Sequence, residues 1–215
     1  MSRAIIFDLD GTLADTIEDI AAAVNGALTR RGLAAHGIPA LKKMVGNGFR
    51  ALVVAALPPE SRNDDLVEEI RIEASTFYAA HPLDRTRAYP GIPELLAELA
   101  RLGVPRAVLS NKPHDLVLRV VEGLFPGAGF AVIRGELPAF PRKPDPASAL
   151  DIARILERAP ADICYLGDSD VDMLTARNAG MLAAGAGWGF RGPEELGLAG
   201  ADAVLTDPAE LLDLI

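Results

Sequence analysis

The sequence predicts an α/β fold in which a doubly wound, Rossmann-like parallel sheet carries an inserted all-helical cap domain. Short β-rich runs alternate along most of the chain with segments whose apolar residues recur at helical spacing. Such alternation is typical of a parallel sheet covered by helices on both faces. Between residues 16 and 80 only helical patterns occur, which indicates an insertion.

The predicted elements of the core come in a regular order. Strands are predicted at 3–9, 105–110, 131–133, 163–167 and 182–186, and helices at 90–103, 112–125, 145–159 and 170–180. Residues 187–211 predict a loop, a short helix, an edge strand and a last helix. The insertion contains helical patterns at 19–32, 39–46, 49–58 and 64–80.

Two linkers separate the insertion from the rest of the chain. We expect a core formed by residues 1–15 and 84–215 and a cap formed by residues 16–83. The second linker contains Pro82, and Pro90 follows it, which suits a hinge between two domains.

Composition excludes several classes of function. Half of the 215 residues are hydrophobic, enough for a sizeable core, and 30 acidic against 21 basic residues give a net charge of −9. That balance argues against a nucleic-acid partner, which would need a basic stripe. A small anionic substrate is still allowed, because a local site can oppose the global charge.

The cysteine count and the hydropathy bear on location. Cys164 is the single cysteine, so no internal disulfide can form and a cysteine-based zinc site is not expected. No apolar stretch reaches the roughly 18 residues that a membrane-spanning helix requires. Acidic residues stand near the N-terminus where a signal peptide needs an unbroken apolar run. We expect a cytoplasmic protein without a membrane partner, as a monomer or a homodimer.

The first predicted strand ends in two acidic residues. In "DLDGT", Asp8 and Asp10 would point to the same side of an extended chain. Adjacent carboxylates repel unless a proton or a cation lies between them. Mg²⁺ is commonly held by one or two carboxylates together with phosphate and water. A solvated turn explains such a pair on its own, so the interpretation depends on the other strand ends.

Three further motifs place polar groups at strand ends. "SNKP" puts Ser110 and Asn111 after the second strand, and "RKPDP" puts Lys143 in a proline-flanked loop. "GDSDVDM" offers three acids in five residues, of which Asp168 and Asp172 are spaced to share one helical face. Ligands bind at the carboxyl ends of the strands in such sheets. Each motif alone has a common structural explanation, but the four together predict a metal–phosphate site.

The sequence resembles the haloacid dehalogenase superfamily of phosphotransferases, whose four motifs occur here in the same order. The resemblance covers roughly residues 3–16 and 88–214, and the helical insertion lies where that superfamily places its first-type cap. It implies a Mg²⁺-dependent phosphatase that acts on a small-molecule phosphoester through an aspartyl phosphate. Asp10 indicates the phosphatase and phosphomutase branch, because dehalogenases lack the second acid and ATP-driven pumps have threonine there.

The same resemblance implies a role for each motif residue. Asp8 would be the nucleophile, and Asp10 would protonate the leaving oxygen and then activate water. The residues implied to bind the phosphoryl group are Lys143, Ser110, Asn111 and Thr12. The groups implied at the metal are Asp8, Asp10 through its backbone carbonyl, Asp168, and Asp172, which would orient a metal-bound water or Lys143.

The cap is expected to decide the substrate. In "MVGNGFRALV", Gly46, Asn47 and Gly48 form a loop that leads into a helix, and amide groups at a helix N-terminus bind anions. A carboxylate beyond the phosphate could bind there, although a plain turn explains the loop equally well. Nearby cations that could contact the substrate are Arg50, Lys42 and Lys43. This loop and "SNKP" resemble the phosphoglycolate phosphatases of the superfamily, which favours 2-phosphoglycolate.

Other functions stay open at this point. The substrate could instead be pyrophosphate, a nucleotide or a sugar phosphate. A phosphomutase is disfavoured because "DTIEDIAAAVN" lacks the histidine that mutases of this group carry after the first motif. A phospho-aspartate signalling module would share the nucleophile, but it would have neither the large helical insertion nor the second acid.

Overall fold

The computed structural model describes residues 3–215, and its centre is a six-stranded sheet. The strands are β1 (Ala4–Phe7), β4 (Arg106–Pro113), β5 (Val132–Glu136), β6 (Ile163–Gly167), β7 (Leu182–Ala186) and β8 (Ala203–Leu205). They lie in the order β5-β4-β1-β6-β7-β8, and all neighbours are parallel. A separate antiparallel ribbon pairs β2 (Ala14–Asp15) with β3 (Arg87–Ala88).

Helices cover both faces of the sheet. They are α5 (Ile92–Arg101), α6 (His114–Leu124), α7 (Ala147–Ile155), α8 (Asp170–Ala179) and α9 (Pro193–Leu198). In β1, Ile5 and Phe7 pack into one hydrophobic cluster with α5 and α6, while Ile6 packs into another with α7 and α8. Alternate residues of a strand point to opposite faces, so this wholly buried strand joins the two layers. The predicted doubly wound α/β fold is confirmed.

The inserted segment is helical throughout its regular structure. It contains α1 (Ile17–Thr29), α2 (Ile38–Met44), α3 (Phe49–Ala56) and α4 (Asp64–Ala80). These helices share a second hydrophobic cluster, in which Val24 and Leu28 of α1 pack with Ile70 and Tyr78 of α4, and Leu116 of α6 in the core also belongs to it. A cluster built mainly from the insertion supports our proposed division into a core (1–15 and 84–215) and a cap (16–83).

The buried carboxylate of Asp19 ties the cap to the second linker. Its Oδ2 atom accepts hydrogen bonds from the amide and the hydroxyl of Thr86, at 2.9 and 2.8 Å. Both Oδ atoms also accept from the amide of Arg85. Because these bonds join α1 to the returning chain, the two linkers are held side by side.

The predicted elements agree with the structure in most places. All five predicted strands are present, as are the edge strand β8 and the short helix α9, and β6 and β7 have the predicted bounds. The last segment, Pro208–Leu214, is a 3₁₀-helix. The ribbon was not predicted, because two-residue strands leave no periodic signal. Within residues 3–215, no helix combines the length and the apolar character needed to cross a membrane.

Candidate active site

The strand register brings the polar motifs to one edge of the sheet. Phe7 at the end of β1 pairs with Val108 on one side and with Leu166 on the other. The amide of Asp8 then donates to the carbonyl oxygen of Leu166 at 2.9 Å. The side chain of Asp8 therefore emerges between the ends of β4 and β6, where Asp168 also emerges.

Lys143 lies at the centre of the site. Its Nζ atom donates to Asp8 Oδ1 at 2.9 Å, to Asp172 Oδ1 at 2.6 Å and to the carbonyl oxygen of Leu109 at 3.2 Å. An ammonium group has three donors, so all three are used. The side chain of Asn111 positions this loop, since its Oδ1 accepts from the Lys143 amide at 2.9 Å and its Nδ2 donates to the Lys143 carbonyl at 3.1 Å.

Three buried carboxylates surround that ammonium group. Asp8, Asp168 and Asp172 each offer an oxygen atom, and these oxygens lie within 4.8 Å of one another. Burial raises the pKa of Asp8 to about 7, with Lys143 acting in the opposite direction. Burial also raises the pKa of Asp168, and the neighbouring carboxylates raise it further. Three carboxylates and one ammonium leave two uncompensated negative charges, which a divalent cation would neutralise.

Asp172 belongs to the start of α8. Its Oδ2 atom accepts from the hydroxyl of Ser169 at 2.6 Å and from the Ser169 amide at 3.2 Å, which forms a capping box. Its other oxygen binds Lys143, so both oxygens have partners. The expectation that Asp168 and Asp172 share a helical face is wrong. The helix begins at Asp170, and Asp168 lies before the capping serine, where the turn brings the two together.

Two glycines allow the chain to approach Asp168 closely. A Cβ atom at Gly11 would lie 2.0 Å from Asp168 Oδ2, and one at Gly189 would lie 2.3 Å from Asp168 Cβ. Gly11 also has a positive φ of 87°, which disfavours other residues. The same carboxylate accepts a hydrogen bond from the amide of Phe190 at 2.7 Å. Asp168 is thus fixed by backbone on two sides.

Asp10 has a different environment from the other acids. Its Oδ1 atom accepts from Lys112 Nζ and from the hydroxyl of Thr16, both at 2.7 Å. Lys112 also donates to the hydroxyl of Tyr78, in the cap, at 2.6 Å. Burial would lower the pKa of Lys112, but Asp10 and Tyr78 outweigh this effect and raise it above its usual value.

Lys112, Tyr78 and Thr16 were not predicted from the sequence. A signal for Lys112 was present, because Ser110 and Lys112 are two residues apart at the end of a predicted strand and such residues share a face. Tyr78 carries no comparable signal, since its contact with Lys112 spans 34 positions and joins the cap to the core.

The site opens into a cleft between core and cap. We call its core side the floor; it is lined by Asp8, Asp10, Ser110, Asn111, Lys112, Pro113, Lys143, Asp168, Ser169, Phe190 and Arg191. We call its cap side the roof; it is lined by Ile20, Val45, Gly46, Gly48, Phe49 and Leu52. The roof is therefore apolar apart from its backbone, while the floor carries every charged side chain that lines the cleft.

Core side chains hold the loop of the roof by its carbonyl groups. Arg191 donates from Nη1 to the carbonyl of Lys42 and from Nη2 to that of Val45, both at 2.8 Å. The side-chain Nδ2 of Asn111 donates to the carbonyl oxygen of Gly46 at 3.0 Å. Asn111 was expected to bind phosphate, but its donors are used on two backbone carbonyls, so its side chain positions loops instead.

Three other expected binding residues lie outside the cleft. Arg50 forms an exposed ion pair with Asp64 at 2.6 Å and does not line the cleft in this structure. Asn47 is exposed at the tip of its loop, where its side chain is solvated. Thr12 is buried behind the first motif, and its hydroxyl has no partner within residues 3–215. Gly46 and Gly48 do line the cleft, whereas Lys42 and Lys43 do not.

Comparisons with known proteins agree with the geometry of this site. Residues 5–186 match the haloacid dehalogenase-like hydrolase family. A phosphoglycolate phosphatase of Pectobacterium atrosepticum is 33% identical, covering 99% of this chain and 92% of that protein. An N-acetylmuramic acid 6-phosphate phosphatase of Pseudomonas aeruginosa is 34% identical, covering 99% and 94%. A crystal structure described as a phosphoglycolate phosphatase from Lactobacillus delbrueckii subsp. bulgaricus has a TM-score of 0.93 at 31% identity, covering 100% and 99%.

Proposed function

The chain belongs to the haloacid dehalogenase-like hydrolase family and is a phosphoric monoester hydrolase; on this premise we propose that it is a Mg²⁺-dependent phosphatase that hydrolyses 2-phosphoglycolate. The observation that carries the mechanism is the contact of Asp8 with Lys143 inside a cluster of buried acids. A nucleophile, a counter-charge for phosphoryl oxygens and a cation site lie together there. The relatives that share 33% identity or more support a small phosphomonoester.

The residues of the floor fit a magnesium ion. Asp8 and Asp168 would hold it, together with the backbone carbonyl of Asp10, and all of these are the oxygen donors that Mg²⁺ prefers. Asp172 lies in the same cluster, but because both its oxygens accept hydrogen bonds, we assign it to holding Lys143. The bound ion would neutralise charge on the phosphoryl oxygens, where charge develops during transfer.

The first chemical step is transfer of the phosphoryl group to Asp8. A carboxylate oxygen of Asp8 attacks phosphorus, and the ester P–O bond breaks as the new bond forms. Asp10 donates a proton to the departing oxygen, so the alcohol leaves neutral. Lys143, which contacts Asp8 directly, places a positive charge beside the transferring oxygens, and Ser110, which lines the same cleft, can donate its hydroxyl to them.

The second step returns Asp8 to its starting state. Asp10, now a carboxylate, removes a proton from a water molecule, and the oxygen of that water attacks phosphorus. The bond from phosphorus to Asp8 breaks, and inorganic phosphate leaves. Lys112 and Thr16 hold one Asp10 oxygen in both steps, which keeps the carboxylate aimed at the cleft.

A second substrate is favoured by one comparison. The relative from Pseudomonas aeruginosa is named for N-acetylmuramic acid 6-phosphate, a sugar phosphate that also carries a carboxylate. Size separates this substrate from 2-phosphoglycolate, and the roof closes directly over the floor through Arg191 and Asn111. We favour the smaller ester for that reason. The cytoplasmic location stays a prediction from the sequence.

The test is phosphate release from a panel of esters, measured with Mg²⁺ and with EDTA. The panel contains 2-phosphoglycolate, N-acetylmuramic acid 6-phosphate, glucose 6-phosphate, a nucleotide and pyrophosphate. We expect Mg²⁺-dependent turnover with the highest kcat/KM for 2-phosphoglycolate. Asp8→Asn should lower kcat by at least about 10⁴-fold while circular dichroism is unchanged.

Asp170→Asn is the matched control for the nucleophile. Asp170 is an exposed acid in the fourth motif, so its amide variant should turn over at close to the wild-type rate. A preference for another ester would keep the mechanism and overturn the substrate. Turnover by Asp8→Asn near the wild-type rate would overturn the mechanism itself.

A further inference from the structure

Three cations line the cleft, and they differ in how many of their donors are used. Lys143 uses all three of its donors on Asp8, Asp172 and Leu109. Lys112 makes two hydrogen bonds, to Asp10 and to Tyr78. Since an ammonium has three donors, one N–H of Lys112 has no protein partner within residues 3–215. This lysine is 6% exposed and lines the cleft, so that donor is held near the substrate.

Arg191, the third cation of the cleft, is committed to the cap. Its two terminal nitrogens donate to the carbonyls of Lys42 and Val45 in the cap. Its Nε lies 3.3 Å from Glu195 of the core and makes no hydrogen bond within residues 3–215. The two bonds to the cap carbonyls hold the roof in place. An anion that displaced them would release the loop that covers it, so Arg191 is a poor candidate for direct recognition.

The position of Lys112 specifies which part of a substrate it can meet. Phosphorus must lie at Asp8, and the leaving oxygen must lie at Asp10, which is the proposed acid. Lys112 Nζ is 2.7 Å from Asp10, on the leaving-group side of the cleft. A group that meets Lys112 therefore belongs to the leaving alcohol and lies within a short reach of the ester oxygen.

The surroundings favour an anionic group at this place. Ile20, Phe49 and Leu52 of the roof have no polar side-chain atoms, so they offer no acceptor to the third N–H of Lys112, and a buried donor without a partner is costly. Tyr78 holds Lys112 from the cap, with its hydroxyl at 2.6 Å and its ring centroid at 4.4 Å from Nζ. The ammonium is thus fixed before a ligand arrives, which lowers the entropic cost of binding.

We propose that Lys112 binds the carboxylate of the leaving group and thereby gives the enzyme its preference for a short anionic phosphoester. This inference rests on the proposed function and assigns to a core lysine the recognition that the sequence analysis placed on the Gly46–Gly48 loop. Lys112 then acts at two neighbouring points: it holds Asp10 beside the ester oxygen, and it binds the substrate carboxylate one carbon away from that oxygen.

The experiment compares two esters that differ in charge and are similar in size, 2-phosphoglycolate and 2-hydroxyethyl phosphate. The ratio of their kcat/KM values isolates recognition of the carboxylate, because any effect on Asp10 acts on both esters. Lys112→Met should lower this ratio by about 10- to 100-fold, the range of a hydrogen bond to a charged group. Lys112→Arg keeps the charge and should retain most of the ratio.

An exposed lysine of the cap provides the control. Lys43 is exposed and lies outside the cleft, so Lys43→Met should leave the ratio unchanged. If Lys112→Met does not fold, Lys112→Gln replaces it. An equal loss on both esters would overturn this inference and leave the proposed function standing. A wild-type enzyme that hydrolyses other phosphomonoesters but shows no preference for 2-phosphoglycolate would overturn the proposed substrate and this inference together.

Discussion

The floor and the roof of the cleft are built from different interactions. In the floor, charged side chains satisfy one another's hydrogen bonds: Lys143 donates to two carboxylates and a carbonyl, and Asp172 accepts from Lys143 and Ser169. In the roof, apolar side chains face the cleft, and attachment to the core uses backbone carbonyls. Every residue has a backbone carbonyl, so attachment of the roof depends on where its backbone lies and not on which side chains it carries. In the floor, each charged side chain needs a neighbouring side chain of the opposite charge. Substitutions in the floor should therefore reduce catalysis severely, and substitutions in the roof should change substrate binding by smaller amounts.

Lys143→Met should have the largest effect. It leaves the carboxylates of Asp8 and Asp172 buried without their ammonium partner, and breaking such a pair typically costs about 3–5 kcal/mol. It also removes the positive charge from the phosphoryl site, so kcat should fall by at least about 10³-fold. Urea unfolding in EDTA measures the stability, and phosphate release with saturating Mg²⁺ measures the rate.

A double variant separates the charge from other effects of this substitution. Adding Asp172→Asn to Lys143→Met removes one of the two unpaired carboxylates, so part of the lost stability should return while activity stays low. If Lys143→Met unfolds at the same urea concentration as the wild type, the ammonium of Lys143 does not stabilise the buried acids of the floor. That result would contradict the difference proposed between floor and roof.

Gly11→Ala should have the next largest effect, and it acts on metal binding. The added Cβ atom would lie 2.0 Å from Asp168 Oδ2, so this carboxylate must move. Displacing a metal ligand or its support typically costs about 10- to 100-fold in metal affinity. The measurement is the Mg²⁺ concentration that gives half-maximal activity.

Gly32→Ala is the matched control for backbone strain. Gly32 also has a positive φ, 71° against 87° at Gly11, but an added Cβ atom there meets nothing within 4 Å. Both variants should lose some stability because alanine disfavours this conformation. Only Gly11→Ala should shift the Mg²⁺ requirement. An equal shift in both would mean that strain, and not the position of Asp168, controls metal binding.

The floor was largely predictable from sequence because its signals are local. Asp8 lies at the end of a predicted strand, Asp168 follows another and Lys143 precedes a predicted helix, and the parallel sheet brings those ends together. Thr12 and Asn111 sit in two of the four motifs, but Thr12 lies outside the cleft and the side-chain amide of Asn111 holds two loops by their carbonyls. Spacing along a strand end does not specify which of two adjacent polar side chains faces the ligand and which supports a neighbouring loop.

The roof was less predictable because its contacts join distant parts of the chain. The bond from Arg191 to Val45 spans 146 positions, and it depends on how the cap docks on the core. Local charge suggested Arg50, which is four residues beyond Gly46, but its side chain leaves the loop toward Asp64 on the surface. A helical pattern shows which face is apolar and does not show which loop end meets another domain.

Arg191→Met should have the smallest effect of the three substitutions, because it loosens the roof and leaves the floor intact. It removes both hydrogen bonds to the cap carbonyls, so KM for the best ester should rise by about tenfold with a smaller change in kcat. Amide hydrogen exchange should become faster in residues 38–48, the helix and loop that Arg191 holds.

Arg50→Met gives the comparison within the cap: it also removes an arginine, but one whose ion pair with Asp64 is exposed. It should change KM by less than about twofold, since exposed pairs contribute little. Equal increases in KM for the two variants would mean that overall charge, and not attachment of the roof, controls substrate binding.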